Sequence, residues 1–123
     1  LANTNTRLIA IGGAGSLYVD EDHTVQLNDT PEFPPEFLVR SKTHGKSDDI
    51  LRKFSNVDWT MFTPPPILDA EGPESNDYIL GNENIIVNKE GKPYISYDTF
   101  AQILVDEISN HKFGRQRFTA VQN

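Results

Sequence analysis

Apolar residues fall in short blocks separated by long polar stretches. The first block, Leu8-Ile9-Ala10-Ile11, is unbroken and stops at Gly12-Gly13-Ala14-Gly15-Ser16. A continuous apolar run ended by glycines is the pattern of a strand buried on both faces in the middle of a parallel sheet. Residues 18–35 are acidic and rich in turn formers, with Asp20-Glu21-Asp22 and prolines 31, 34 and 35, and predict a long surface loop. Residues 37–54 predict a helix from the shared face of Ile50, Leu51 and Phe54, although Gly45 interrupts it and Ser47 before Asp48-Asp49 could start a fresh one.

The second strand is Val57-Asp58-Trp59-Thr60-Met61-Phe62-Thr63, closed by Pro64-Pro65-Pro66, whose missing amide donors forbid further ladder pairing. Residues 67–77 read as loop. Tyr78-Ile79-Leu80 and Ile85-Ile86-Val87 predict short strands, and Lys89-Glu90-Gly91-Lys92 a turn into Tyr94-Ile95, together a small β-hairpin region. The best-marked helix follows. Ser96 caps it, Asp98 suits its positive end, and Phe100, Ile103, Leu104 and Ile108 form its apolar stripe. Residues 118–121 make a last strand. Strands alternating with helices predict an α/β layer architecture, and 123 residues supply one domain, short for a complete two-halved nucleotide-binding sheet.

Charge narrows the partners. Eleven basic against eighteen acidic side chains give a net charge of -7, a field that repels phosphate backbones and anionic lipid, so neither nucleic acid nor a membrane surface is expected. With no cysteine there is no disulfide and no thiolate site, which fits a cytoplasmic protein. The chain opens on Leu1 rather than Met, so it is expected to begin inside a longer product or after processing. No metal site is expected: Asp20, Asp22 and Thr24 imitate a calcium loop, but Val25 and Pro31 stand where glycine and glutamate belong. His23, His44 and His111 lack the spacing of a zinc helix.

Gly12 to Ser16 carries the most chemistry, because glycines directly after a buried strand let backbone approach a ligand at the strand's C-terminal edge. The spacing fails as a dinucleotide fingerprint, since an acidic loop follows where a helix should start, and it lacks the Lys and Ser/Thr of a phosphate loop. A tight bend after a strand remains an equal reading. Ser16 reads equally as a turn hydroxyl bonding nearby backbone, and as a hydrolase nucleophile it would need a histidine close by.

The ordered set Arg7-Leu8-Ile9-Ala10-Ile11-Gly12-Gly13-Ala14-Gly15-Ser16-Leu17-Tyr18, Thr30-Pro31-Glu32-Phe33-Pro34, Asp58-Trp59-Thr60 with Pro64-Pro65, Gly91, Ile95-Ser96-Tyr97-Asp98-Thr99-Phe100-Ala101 and Arg117-Phe118-Thr119 spans nearly the whole chain. It resembles atypical short-chain dehydrogenase/reductases of the NADH-flavin reductase type. The resemblance implies the C-terminal half of a Rossmann-like parallel sheet with flanking helices, residues 1–123 forming a single partial domain of an NAD(P)-binding fold. It implies that Gly12, Gly13, Ala14, Gly15, Pro64 and Pro65 approach the nicotinamide end of NAD(P)H, with Ser16 the candidate catalytic hydroxyl.

Two departures bear on activity. The Gly-rich turn that would grip the pyrophosphate has no counterpart here and should precede Leu1. The Tyr-x-x-x-Lys pair is also absent, as Asp22, Asn82, Asp98 and Ala101 stand four residues after the tyrosines. The expected function is part of an NAD(P)H-dependent oxidoreductase, reducing flavin or a quinone-like acceptor by hydride transfer. Its expected partners are an N-terminal half or another copy of the chain, as a homodimer, and a small-molecule acceptor. The alternative is a non-catalytic dimerisation or regulatory module of reductase descent.

Overall fold

The computed structural model describes residues Leu1–Asn123. In chain order the elements are β1 (Arg7–Ile11), α1 (Leu38–Arg52), β2 (Asp58–Phe62), β3 (Ile67–Asp69), β4 (Tyr78–Gly81), β5 (Tyr94–Ser96), α2 (Tyr97–Asn110) and β6 (Arg117–Gln122). The main sheet runs β1-β2-β6-β4. β1 lies parallel to β2 with Arg7 opposite Asp58 and Ile11 opposite Phe62, and β2 lies parallel to β6 with Phe62 opposite Phe118. β4 closes the far side antiparallel to β6. β3 and β5 form a separate parallel pair.

Alternation along β2 sorts the core into two layers. Thr60 and Phe62 face α2, where Phe62, Ile95, Ile103, Phe118 and Ala120 are buried together. Phe100, Phe62, Phe118 and Phe113 stack there in a row, with successive ring centroids 4.0, 4.2 and 4.3 Å apart. On the opposite side Val57, Trp59 and Met61 pack against Leu51 of α1.

α2 forms as its pattern predicts: the Ser96 side chain accepts from the Thr99 amide, and Asp98 sits in the first turn. The helix ends at Asn110, and His111 follows as its cap in a left-handed conformation, φ 50°. Its turn back to the sheet is held by Glu107, whose carboxylate accepts from the amides of Lys112 and Phe113 and pairs with the Arg7 guanidinium of β1. Burial works against ionising Glu107, but the Phe113 amide, Arg7 and the Lys112 amide outweigh it and hold its pKa below the ordinary carboxylate value.

Four expectations change. β1 is the edge of the sheet, not its middle, with Ile11 48% exposed. α1 runs unbroken through Gly45, and Ser47 does not cap a second helix but bonds back to the Thr43 carbonyl. Residues 67–69 are a strand and not loop, because Ile67, Leu68 and Asp69 find Tyr94, Ile95 and Ser96 as parallel partners. No local hairpin forms: Ile85 to Val87 joins no strand, and the antiparallel pairing is β4 on β6. No helix is long and apolar enough to cross a membrane, and no three histidines or carboxylates converge on a point.

Candidate functional site

Parallel strands deliver their C-terminal ends to one edge of a sheet, and that edge is where loops and ligands meet in α/β folds. Here β1 ends in Gly12 and β2 in Thr63. The Gly12 amide donates to the Phe62 carbonyl at 3.0 Å, and the Thr63 amide to the Phe118 carbonyl at 2.9 Å, so the ladder continues into both loops. Gly12 cannot be larger without disturbance, since a Cβ on it would lie 2.6 Å from Thr63 Oγ1. That hydroxyl is buried and has no hydrogen-bond partner in the protein. Pro64 and Pro65 are buried beside it, and Pro66 emerges at the surface.

After Gly13 the chain makes a 3-10 turn, Ala14–Ser16. α1 packs directly on it: a Cβ on Gly15 would stand 1.9 Å from Ser41 Oγ and 3.2 Å from the Phe33 ring. Asn28 Nδ2 donates to the same Ser41 oxygen at 3.0 Å, fixing the helix against the loop.

Ser16 is 2% exposed. Its hydroxyl lies 3.0 Å from the Gly13 carbonyl and 3.2 Å from Asp48 Oδ2, and accepts from Arg117 Nη1 at 2.7 Å. Arg117 Nη2 also donates to the Ser16 carbonyl at 3.0 Å, and Arg117 Nε to Glu83 Oε1 at 3.0 Å. Arg52 reaches Glu83 from α1 at 2.7 Å. The turn is thus tied to α1, to β6 and to the loop after β4 by one ionic network centred on the buried Arg117. Burial pushes the Asp48 carboxyl above its ordinary pKa despite the Ser16 hydroxyl and the positive Arg117 nearby. Burial opposes ionising Glu83 too, but there Arg52 and Arg117 prevail and the pKa is lowered. No histidine bonds to Ser16, so the arrangement of a serine hydrolase is not present.

The outer side of the turn opens on a cleft of about 500 Å³, walled by Gly13 and Gly15, by Phe33 and Phe37, and by Arg40 and His44 of α1. Its volume falls within the range of small-molecule sites. Gly12 lies behind it, and Pro66 instead of Pro64 or Pro65 reaches its wall. The structure therefore brings the glycine turn and the proline loop together at one sheet edge, and turns the Ser16 hydroxyl inward. Sequence reasoning missed Asp48, Glu83 and Arg117, for which no local signal exists. It also missed Arg40 and His44, whose i, i+4 spacing on a predicted helix was an available cue.

No family model matches the chain. It is 40% identical over 117 residues to the uncharacterized protein YwnB of Bacillus subtilis, covering 95% of this chain and 55% of that protein. A crystal structure of a Streptococcus pneumoniae protein provisionally assigned as an NADH-flavin reductase superposes with a TM-score of 0.95 at 38% identity, over 100% of this chain and 59% of that one. The fold, a mixed α/β unit with a mainly parallel sheet and two helices, matches the C-terminal part of Rossmann-like reductases. A Bacteroides thetaiotaomicron protein provisionally assigned as an epimerase matches at 31% identity and a TM-score of 0.86, over 94% of this chain and 53% of that one. The chain thus spans little more than half the length of the proteins it resembles.

Proposed function

We propose that the chain forms one wall of the nicotinamide and acceptor site of an NAD(P)H-dependent oxidoreductase acting on flavin or a quinone-like acceptor. The observation that carries this reading is the meeting of the Gly12–Gly15 backbone and the Thr63–Pro65 backbone at adjacent strand ends, beside an open cleft. A side chain at Gly12 would fill that junction, and the unpartnered Thr63 hydroxyl waits there for a polar group. Gly13, Ala14 and Gly15 would face the reactive end of the cofactor, with Gly12, Pro64 and Pro65 buried behind them as support for the turn.

Bound there, a reduced nicotinamide supplies a hydride. The protein's share is alignment and exclusion of water, because the cofactors carry the reactive chemistry. Ser16 serves as a positioning residue, its hydroxyl fixing the turn through Arg117 and Asp48. A separate segment must grip the pyrophosphate, and the free edge of β1 offers the place for further strands to join. Calorimetry tests this division: the 123-residue chain is expected to bind NADH or NADPH no tighter than about millimolar, and a longer product that carries a pyrophosphate-binding segment tightly and with turnover. Micromolar binding by the chain alone would overturn the division, and a longer product inert with every acceptor would overturn the reductase reading.

The same free edge supports a second reading, a dimerisation module. Ala10, Ile11, Ile50, Leu51 and Phe54 border a groove of about 290 Å³ between β1 and α1, and an unpaired apolar edge favours strand addition. Sedimentation velocity should then give a concentration-dependent dimer; a single monomeric species removes this reading.

A further inference from the structure

Two basic side chains on one helix face look into the cleft without a hydrogen-bond partner in the protein. Arg40 and His44 lie four residues apart on α1 and both line the cleft beside the glycine turn. Neither side chain makes a hydrogen bond or an ion pair within the protein, although five of the other eight Lys and Arg side chains outside the chain's first and last strands are not so free of partners: Lys42, Arg52, Lys89, Lys92 and Arg115 are all engaged. The His44 ring lies against the turn, where a Cβ on Gly13 would stand 3.6 Å from its Cγ. Phe33 and Phe37 supply aromatic surface on the same walls. The first turn of α1 holds no acidic side chain, and Phe37 offers no side-chain cap, so the positive end of the helix dipole adds to the field. Against these stands one carboxylate in the lining, Glu32, outside ion-pair distance of Arg40. Asp48, the next carboxylate along α1 from His44, is buried and turned to Ser16.

We propose that this cleft binds a planar conjugated ring bearing an anionic group, the ring between the phenylalanines and the anion on Arg40, with His44 as a second donor. The proposal rests on reading the cleft as the acceptor side of a reductase, and it specifies the acceptor's charge. An arginine matches phosphate, sulfonate and carboxylate oxygens with paired donors. Glu32 sets direction, since it repels an acceptor that enters with its anion reversed.

All the lining residues belong to this chain, so binding can be measured on it without any nucleotide. Fluorescence anisotropy of flavin mononucleotide against riboflavin, and competition by menadione against 1,4-naphthoquinone-2-sulfonate, isolate the anion on two different rings. The phosphorylated and sulfonated members are expected to bind roughly tenfold tighter than their neutral counterparts, the effect of one charge-assisted hydrogen bond. Arg40→Gln should erase that ratio, and Glu32→Gln should raise it a few-fold. Opposite signs from two exposed residues cannot arise from misfolding. Preference for phosphate alone identifies a phosphorylated acceptor, and preference on both rings a general anion site. Equal affinity for charged and neutral members, or no binding of any, overturns the proposal. Turnover of NAD(P)H with neutral quinones in a longer product would leave the reductase reading standing in either case.

Discussion

Replacing Arg117 by methionine is expected to destabilise the fold by about 3 kcal/mol, because a buried ion pair that loses one member leaves the other uncompensated. For a domain of this size that is a fall in Tm of roughly 10–15 °C. The side chain is 2% exposed and donates to the Ser16 hydroxyl, the Ser16 carbonyl and Glu83. Methionine fills much of the same space and satisfies none of these. Glu83 keeps Arg52 as a partner, which places the loss at the lower end of the range for broken buried pairs. Arg117→Lys should recover only part, since a point charge cannot serve Ser16 and Glu83 together. Far-ultraviolet circular dichroism on heating is the measurement, and a methionine variant melting within about 3 °C of the wild type would refute the account.

Glu107→Ala should have a comparable effect, about 3 kcal/mol, for a different reason. One carboxylate, itself 3% exposed, answers the Arg7 guanidinium and the two amides that turn the chain from α2 toward β6. Alanine leaves both amides without an acceptor and strips Arg7 of its counter-charge, leaving it only the Thr60 hydroxyl and the backbone carbonyl of residue 107. The loss is also pH-dependent, and its sign is fixed. Folding lowers this carboxyl's pKa from the ordinary 4.5, so its contribution is whole above that value and drains as the pH falls through the lower, folded-state value. Urea unfolding of both proteins should show a gap that is full at pH 7 and narrows in acid. A gap that widens on acidification would contradict the assignment.

How much of this was legible in the sequence differs between the helices. α2 declares itself, with a capping serine, an acidic first turn and an apolar stripe that meets the sheet at Ile103. α1 does not, because the residues it buries are Ser41 and Asp48 instead of an apolar row. Gly45 looked like a break, yet nothing lies within 4 Å of the space its side chain would occupy, so it lowers propensity without interrupting the helix. β3 was hidden by the three prolines before it, and only its distant partner β5 makes it a strand. Ile85-Ile86-Val87 has the right composition and no partner, which illustrates how far β-propensity depends on context.

The site was legible in its backbone and not in its side chains. Glycines after an apolar strand and prolines after the next mark two loops that meet at one edge of the sheet. Ser16, Asp48, Glu83 and Arg117 are scattered over a hundred positions, and no periodicity links them. A polar residue opening a strand, as Arg117 does, reads as surface until the carboxylate and the turn it bonds are known to face it.

The placement of the aromatic rings gives each side of the sheet its own optical label. Trp59 is the sole tryptophan and lies beneath α1, whereas the row of Phe100, Phe62, Phe118 and Phe113 lies beneath α2. Tryptophan emission therefore reports on the layer that carries the glycine turn, and the phenylalanine fine structure of near-ultraviolet dichroism on the layer behind it. If the two signals part company during unfolding, the layer under α1 can loosen while the other stays packed, and the order in which they go reveals which layer supports which.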